Sequence, residues 1–177
     1  MAKRVSFSDQ DLGLEEIAVH YDSLISSLRE YYSPNSPSFL ARCSSYTNAE
    51  VEDELSRHIA EIDLTSALNV MSATEAALRV DYLDRAYRRG KDKLSRAMRD
   101  VYQTKPEKAS LEDDIIAAWT ATGIMKNQLA GDLKSAYRYR HWLAHGRYWT
   151  LKIGRKYDFF SLYIVAGQVF DLIDQTS

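Results

Sequence analysis

Thr47-Asn48-Ala49-Glu50 opens a run of helical spacing that continues with almost no breaker to Arg89-Gly90. The threonine hydroxyl can accept the amide three residues on while the glutamate reaches back to the threonine amide, so the tetrapeptide reads as a capping box. A helix of roughly 40 residues is long for a globular protein, so a kink or break is expected near residues 63–65. Gly90 stops the run. The protein is therefore read as helices assembled around one dominant helix.

Working outward towards the start, Ser8-Asp9-Gln10-Asp11 resembles another capping box and predicts a first helix to about Tyr32. Leu14, Ile17, Val19, Leu24, Ile25 and Leu28 roughly follow its apolar face. Ser33-Pro34-Asn35-Ser36-Pro37-Ser38 breaks it, because proline lacks an amide donor and disfavours helix in the residue before it. That loop, through about Tyr46, is the expected mobile segment.

Working outward the other way, Asp92 begins a shorter helix reaching about Gln103, and Pro106 lies in a polar connection. Ser110-Leu111-Glu112-Asp113 caps a further helix carrying Ile115, Ile116, Trp119 and Met125. Gly123 and Gly131 leave open whether it continues through residues 133–144. Gly146 falls where a left-handed helix cap is expected. Residues 150–153 read as a short, extended piece, and 159–173 as a final apolar helix. The expected fold is all-α: one domain, 1–177, of about five to seven helices, with a long second helix and an apolar C-terminal helix. Residues 1–46 form its N-terminal helix and Pro/Ser loop, and 47–177 its core bundle.

Bulk composition agrees. The 177 residues suffice for one domain with a real core, and only 7 Gly and 3 Pro leave little turn material for a many-stranded sandwich or barrel. Cys43 is the only cysteine, so no internal disulfide can form and a reducing, cytoplasmic setting is expected. Lys3 and Arg4 are followed by no apolar run, so no targeting segment is expected. The apolar stretch 162–170 is far short of the ~20 residues that span a bilayer, so no membrane partner is expected.

Charge is distributed unevenly. Residues 133–157 hold seven cations and no acidic residue, so with a net charge of −2 overall the remainder carries −9. Tyr137, Tyr139, Trp142, Tyr148, Trp149 and Tyr157 are interleaved with those cations. Cations neutralise phosphates and aromatic faces stack on bases, which suits a nucleic-acid surface. A solvated helix end over a half-buried aromatic cluster would have the same composition.

Within this region stands Arg140-His141-Trp142-Leu143-Ala144-His145-Gly146. Histidine moves protons near neutral pH and arginine offers a fixed fork of donors to a phosphate. Along a regular helix, five residues turn the side chain by about 140°, so Arg140 and His145 would not share a face of one helix.

The R-x-x-x-x-H spacing, with a polar residue after the arginine, Gly after the histidine and a place near a helix end, resembles HEPN domains. These are small helical bundles, often metal-independent ribonucleases. The resemblance implies a homodimer whose composite active site gathers both motifs in one cleft. Arg140 and His145 are then the catalytic pair. The histidine, ordinarily of pKa near ~6.5, would exchange protons with the ribose 2′-hydroxyl or the 5′-oxygen. The arginine would stabilise charge on the phosphorane-like transition state. Products would be a 2′,3′-cyclic phosphate and a 5′-hydroxyl end, with neither metal nor cofactor. Supporting roles fall to His141, and to Glu75 and Arg79, which resemble a Glu-basic pair of HEPN nucleases. RNA contacts fall to Arg138, Arg147, Tyr148 and Lys152. The family setting implies a toxin or anti-phage defence effector with an antitoxin or regulatory protein. Some HEPN toxins carry, two residues after the histidine, a tyrosine modified with AMP; Arg147 stands there, so that control is not expected.

Three other readings use the same residues. A non-catalytic HEPN-like module would bind RNA, nucleotide or a protein partner through them. His141 and His145, four apart, have workable metal-ligand spacing, but a third ligand would have to arrive by folding. In a purely structural reading Arg140 caps carbonyls, His145 answers the helix dipole, and Glu75 with Arg79 is an ordinary i,i+4 pair.

Overall fold

A computed structural model of the chain describes residues 5–8, 12–106 and 108–177. Among them the architecture is all-α: α1 (Leu14–Tyr31), α2 (Phe39–Cys43), α3 (Asn48–Arg88), α4 (Lys93–Thr104), α5 (Ala117–Ala121), α6 (Asn127–Ala144) and α7 (Phe159–Thr176). A π-helical turn, Leu111–Ile116, leads into α5. None of these helices is long and apolar enough to cross a membrane.

The long helix is unbroken over 41 residues, so the expected kink at 63–65 is absent as a break. Three local features explain its persistence. The Thr47–Glu50 box forms at its start, with the Glu50 carboxylate 2.7 Å from the Thr47 amide. Its exposed first turns carry pairs one turn apart, Arg57 with Asp53 and Glu54, and His58 with Glu54. Asp63, instead of breaking the helix, accepts the Phe159 amide at the N-terminus of α7 (3.1 Å), where the helix dipole favours a carboxylate.

Helix α3 is the spine, packing against α7, α1, α4 and α6. Its second half supplies Ala67, Val70, Met71, Leu78 and Tyr82 to a core completed by Leu94, Met98, Ile115, Ile116, Trp119, Met125, Leu133 and Leu162. Arg85, near the end of α3, is itself buried. Its Nε donates to both Asp81 oxygens at 2.8 Å, and a second nitrogen donates to the Thr176 carbonyl at 3.0 Å, tying the end of α7 to α3.

Several sequence expectations change. The long helix is third rather than second, because α2 forms where a mobile loop is expected. Arg42 ties that segment down by donating to Ser38 and to the Tyr31 carbonyl and by lying over the Tyr31 ring. The start of the first helix as read from Ser8 to Asp11 lies, at 9–11, outside the described residues. Helix α1 opens at Gly13, whose amide donates to Glu16 at 3.0 Å. Val19 points outward, 61% exposed, because Ile17, Tyr21 and Ile25 occupy the buried face. Residues 122–126 separate α5 from α6, and α6 runs straight through Gly131.

Gly90 ends α3 for a different reason than a left-handed cap. Arg89 takes that conformation (φ 58°), while a Cβ on Gly90 would lie 2.8 Å from the Ser95 hydroxyl and 2.9 Å from Asp92. Those two residues pair at the start of α4, so a side chain at position 90 would have to displace one of them.

A candidate phosphate and nucleotide cleft

Helix α6 carries the motif to its own last turn. Arg140 and His141 lie within the helix and His145 is its C-cap residue. Gly146 and Arg147 then both adopt left-handed backbone (φ 77° and 59°), and the Arg147 amide bonds back to the Trp142 carbonyl at 3.1 Å. This is a Schellman-type closure, and it sets the direction of the return segment. The segment is held at three points. Arg147 forms a two-pronged pair with Glu61 of α3 (2.9 and 3.0 Å), the Trp142 indole donates to the Trp149 carbonyl (2.8 Å), and Arg155 pairs with Asp132 (3.0 Å).

Between this segment, α6 and the π-helical turn opens a cleft of about 760 Å³. Arg138, Arg140, His141 and Tyr137 line it from α6, Trp149 and Lys152 from the return segment, and Glu112 and Asp113 from the π turn. The lining therefore combines cations, an indole and two carboxylates.

Arg140 is positioned from a distant part of the chain. Its Nη2 lies 3.6 Å from one oxygen of Glu75 on α3, while the other oxygen accepts from Arg79 Nε at 2.9 Å. Arg79 also donates to the Ala109 carbonyl at 3.2 Å, just before the π turn. One carboxylate thus holds two guanidinium groups, and a third of the Arg140 side chain stays exposed. Its Nε–H is buried with no partner, as is the Tyr137 hydroxyl one turn earlier. Burial, and after it the Glu75 carboxylate, push the Tyr137 hydroxyl well above its ordinary pKa. It is a proton donor at neutral pH.

His145 is exposed and stands outside the lining of the cleft. Its ring centroid is 4.3 Å from that of His141, which does line the cleft, and both rings approach Trp149 (6.5 and 5.8 Å). The structure thus joins Arg140 with Glu75 and Arg79, and His145 with His141. Among the described residues no direct hydrogen bond links Arg140 to His145. The turn of the helix between them is the cause.

The expected RNA contacts divide. Arg138 and Lys152 line the cleft and are exposed; Tyr148 is 83% exposed, edge-on to Trp149 at 4.7 Å. Arg147 is already engaged by Glu61. Among the described residues no group of three or more His, Cys, Asp or Glu side chains is arranged to hold a metal ion, so the two histidines have no third ligand beside them. Tyr137 and Trp149, which the sequence offers only as two of six aromatics among the cations, belong to the cleft, as does Glu112, which it offers only as part of a helix cap. Only the i,i+3 spacing of Tyr137 to Arg140 on one helix face could have pointed to the first.

Comparison with protein-family models, with curated proteins and with solved structures finds no match to this chain.

Proposed function

We propose that the protein is a metal-independent endoribonuclease of the HEPN type, active as a homodimer. The observation that carries this reading is the cleft, in which Arg140, held by Glu75, shares one opening with His141, Arg138, Lys152 and Trp149, while His145 stands against His141. Such a surface attracts a phosphodiester, offers an aromatic face for a base, and presents imidazoles beside it.

The reaction needs no group beyond these. An imidazole takes the 2′-hydroxyl proton as the 2′-oxygen attacks phosphorus, and the bond to the 5′-oxygen breaks. A second imidazole protonates that leaving oxygen. Arg140 compensates the charge that builds on the non-bridging oxygens. Within one chain Arg140 and His145 point from different faces of α6, so a two-fold partner supplies the missing approach to the same phosphate. A cytoplasmic RNase of this kind requires restraint, which assigns it an antitoxin or regulatory partner and a toxin or anti-phage role.

Labelled RNA incubated with the protein in EDTA tests the reading. Wild type cuts and His145→Ala does not; an intact substrate with wild type, or equal cutting by the variant, overturns it. A second reading has an observation in its favour: Arg140 is already paired with Glu75, and His145 lies outside the cleft. On that reading the module binds RNA or nucleotide without cutting it, and both proteins retain the substrate intact while still binding it.

A further inference from the structure

The two buried donors without partners, Tyr137 Oη–H and Arg140 Nε–H, lie one turn apart on α6 and belong to residues lining the same cleft. Buried donors are nearly always satisfied, and an orphaned pair beside a cation calls for an acceptor-rich group to complete them. A phosphate oxygen is such a group. The cleft, at about 760 Å³, has the volume of a small-molecule site.

The π turn carries a second unmet demand. There, Asp113 is engaged with the Ser110 hydroxyl, and Asp114 with Lys105 and the Ser110 amide. Glu112, between Leu111 and Asp113, lines the cleft and has no hydrogen-bond or ion-pair partner among the described residues. Glu112 thus lines the same cleft as Tyr137 and Arg140, the residues that carry the two orphaned donors. Trp149 adds the only indole in the lining.

We infer that the cleft is a guanosine-nucleotide pocket: Tyr137 and Arg140 donate to the phosphate, the base stacks on Trp149, and Glu112 reads its edge. This rests on the RNA reading above and supplies the base preference that reading lacks. An ionised carboxylate only accepts hydrogen bonds. Guanine alone among the four bases presents two adjacent donors, N1–H and the exocyclic amino group, to its two oxygens. Adenine and cytosine set one amino group beside an acceptor, and uracil sets one N–H between two carbonyls. Those acceptors would face the carboxylate unpaired, which is how a polar site rejects the wrong partner.

Calorimetric titration of the full chain in EDTA with GMP, AMP, CMP, UMP and inorganic phosphate is the test. GMP should bind at least about fivefold more tightly than the other nucleotides, the lower end of what a two-pronged base contact discriminates. Glu112→Gln should weaken GMP alone and bring the four within about twofold. Tyr137→Phe should weaken all four and phosphate alike, by roughly threefold or more. Both substitutions preserve shape, and unchanged helical circular dichroism establishes that the variants fold. Equal affinities in the wild type, a preference surviving Glu112→Gln, or unchanged phosphate affinity in Tyr137→Phe overturns the assignment. Cleavage enters nowhere in this measurement. Guanosine preference in a protein that never cuts RNA would keep the pocket and remove the nuclease, and cutting without base preference would do the reverse.

Discussion

Glu75 and Arg140 meet across the α3–α6 interface, carboxylate oxygen to guanidinium nitrogen at 3.6 Å, although 65 positions separate them in the chain. Because the other Glu75 oxygen holds Arg79 at 2.9 Å, the carboxylate is fixed before it meets Arg140. It orients the arginine and also competes with any phosphate for it.

Glu75→Ala therefore separates orientation from affinity. Steady-state cleavage should show kcat falling about tenfold or more, as misplacement of a charged group by an ångström does, while KM holds or falls because the competing anion is gone. A rise in KM with unchanged kcat would show that Glu75 does not position Arg140.

Gly146 holds a left-handed backbone at φ 77° with open space around it, so an added Cβ would clash with nothing but its own chain. Gly146→Ala should cost about 1–2 kcal/mol in urea unfolding. It should also slow cleavage, because the closure after His145 sets where that ring stands. A variant as stable as wild type would contradict the assigned strain.

The site was partly legible from the residues, and the fold more so. Thr47 and Glu50 announced α3 because a capping box is purely local chemistry, and Gly146 announced the end of α6 for the same reason. Spacing predicts an all-α bundle with an apolar last helix, which the described residues show, but it gives neither α2 nor the separation of α5 from α6. What escaped is what depends on distant partners. Asp63 reads as part of an expected kink until α7 brings its first amide to it, and Gly90 reads only as a stop until Ser95 and Asp92 crowd the place a Cβ would take. Glu75 and Arg79 formed an i,i+4 pair in sequence, but their approach to Arg140 needed the packing of α3 on α6. The π winding at Leu111–Ile116 left no composition signal, and with it went Glu112.

Arg85 and Asp81 are both buried, at 7% and 5% side-chain exposure. Arg85→Ala strands the carboxylate and should cost about 3–5 kcal/mol at neutral pH by chemical denaturation. Burial already raises the Asp81 pKa, partly opposed by Arg85. A raised carboxyl binds its proton more readily in the folded state, so its contribution is full below its ordinary value, ~3.9, and is lost as pH rises through the folded one. Removing Arg85 raises it further. The cost of the substitution should therefore shrink on acidification, and a penalty independent of pH would contradict this.

Asp158 behaves with the opposite sign. Its side chain caps α7 through Ser161, and that hydroxyl and amide hold its carboxyl below the usual range. A lowered pKa means the contribution is present above the ordinary carboxyl value and disappears as pH falls through the folded one. Asp158→Ala should cost about 1 kcal/mol near neutrality. The difference from wild type should vanish in strong acid, and a gap that persisted there would count against the cap.

The central claim, that Arg140 and His145 of a paired protein act on one RNA phosphodiester without metal, is tested most directly by the chemistry of the cut ends. Purified protein in EDTA is given an RNA oligonucleotide and the same oligonucleotide with a 2′-deoxy sugar at the cleaved position. The account predicts a 2′,3′-cyclic phosphate and a 5′-hydroxyl from the first, no cut at the deoxy position of the second, and no product from Arg140→Ala or His145→Ala. Cleavage at the deoxy position, or cleavage that survives both substitutions, would contradict it.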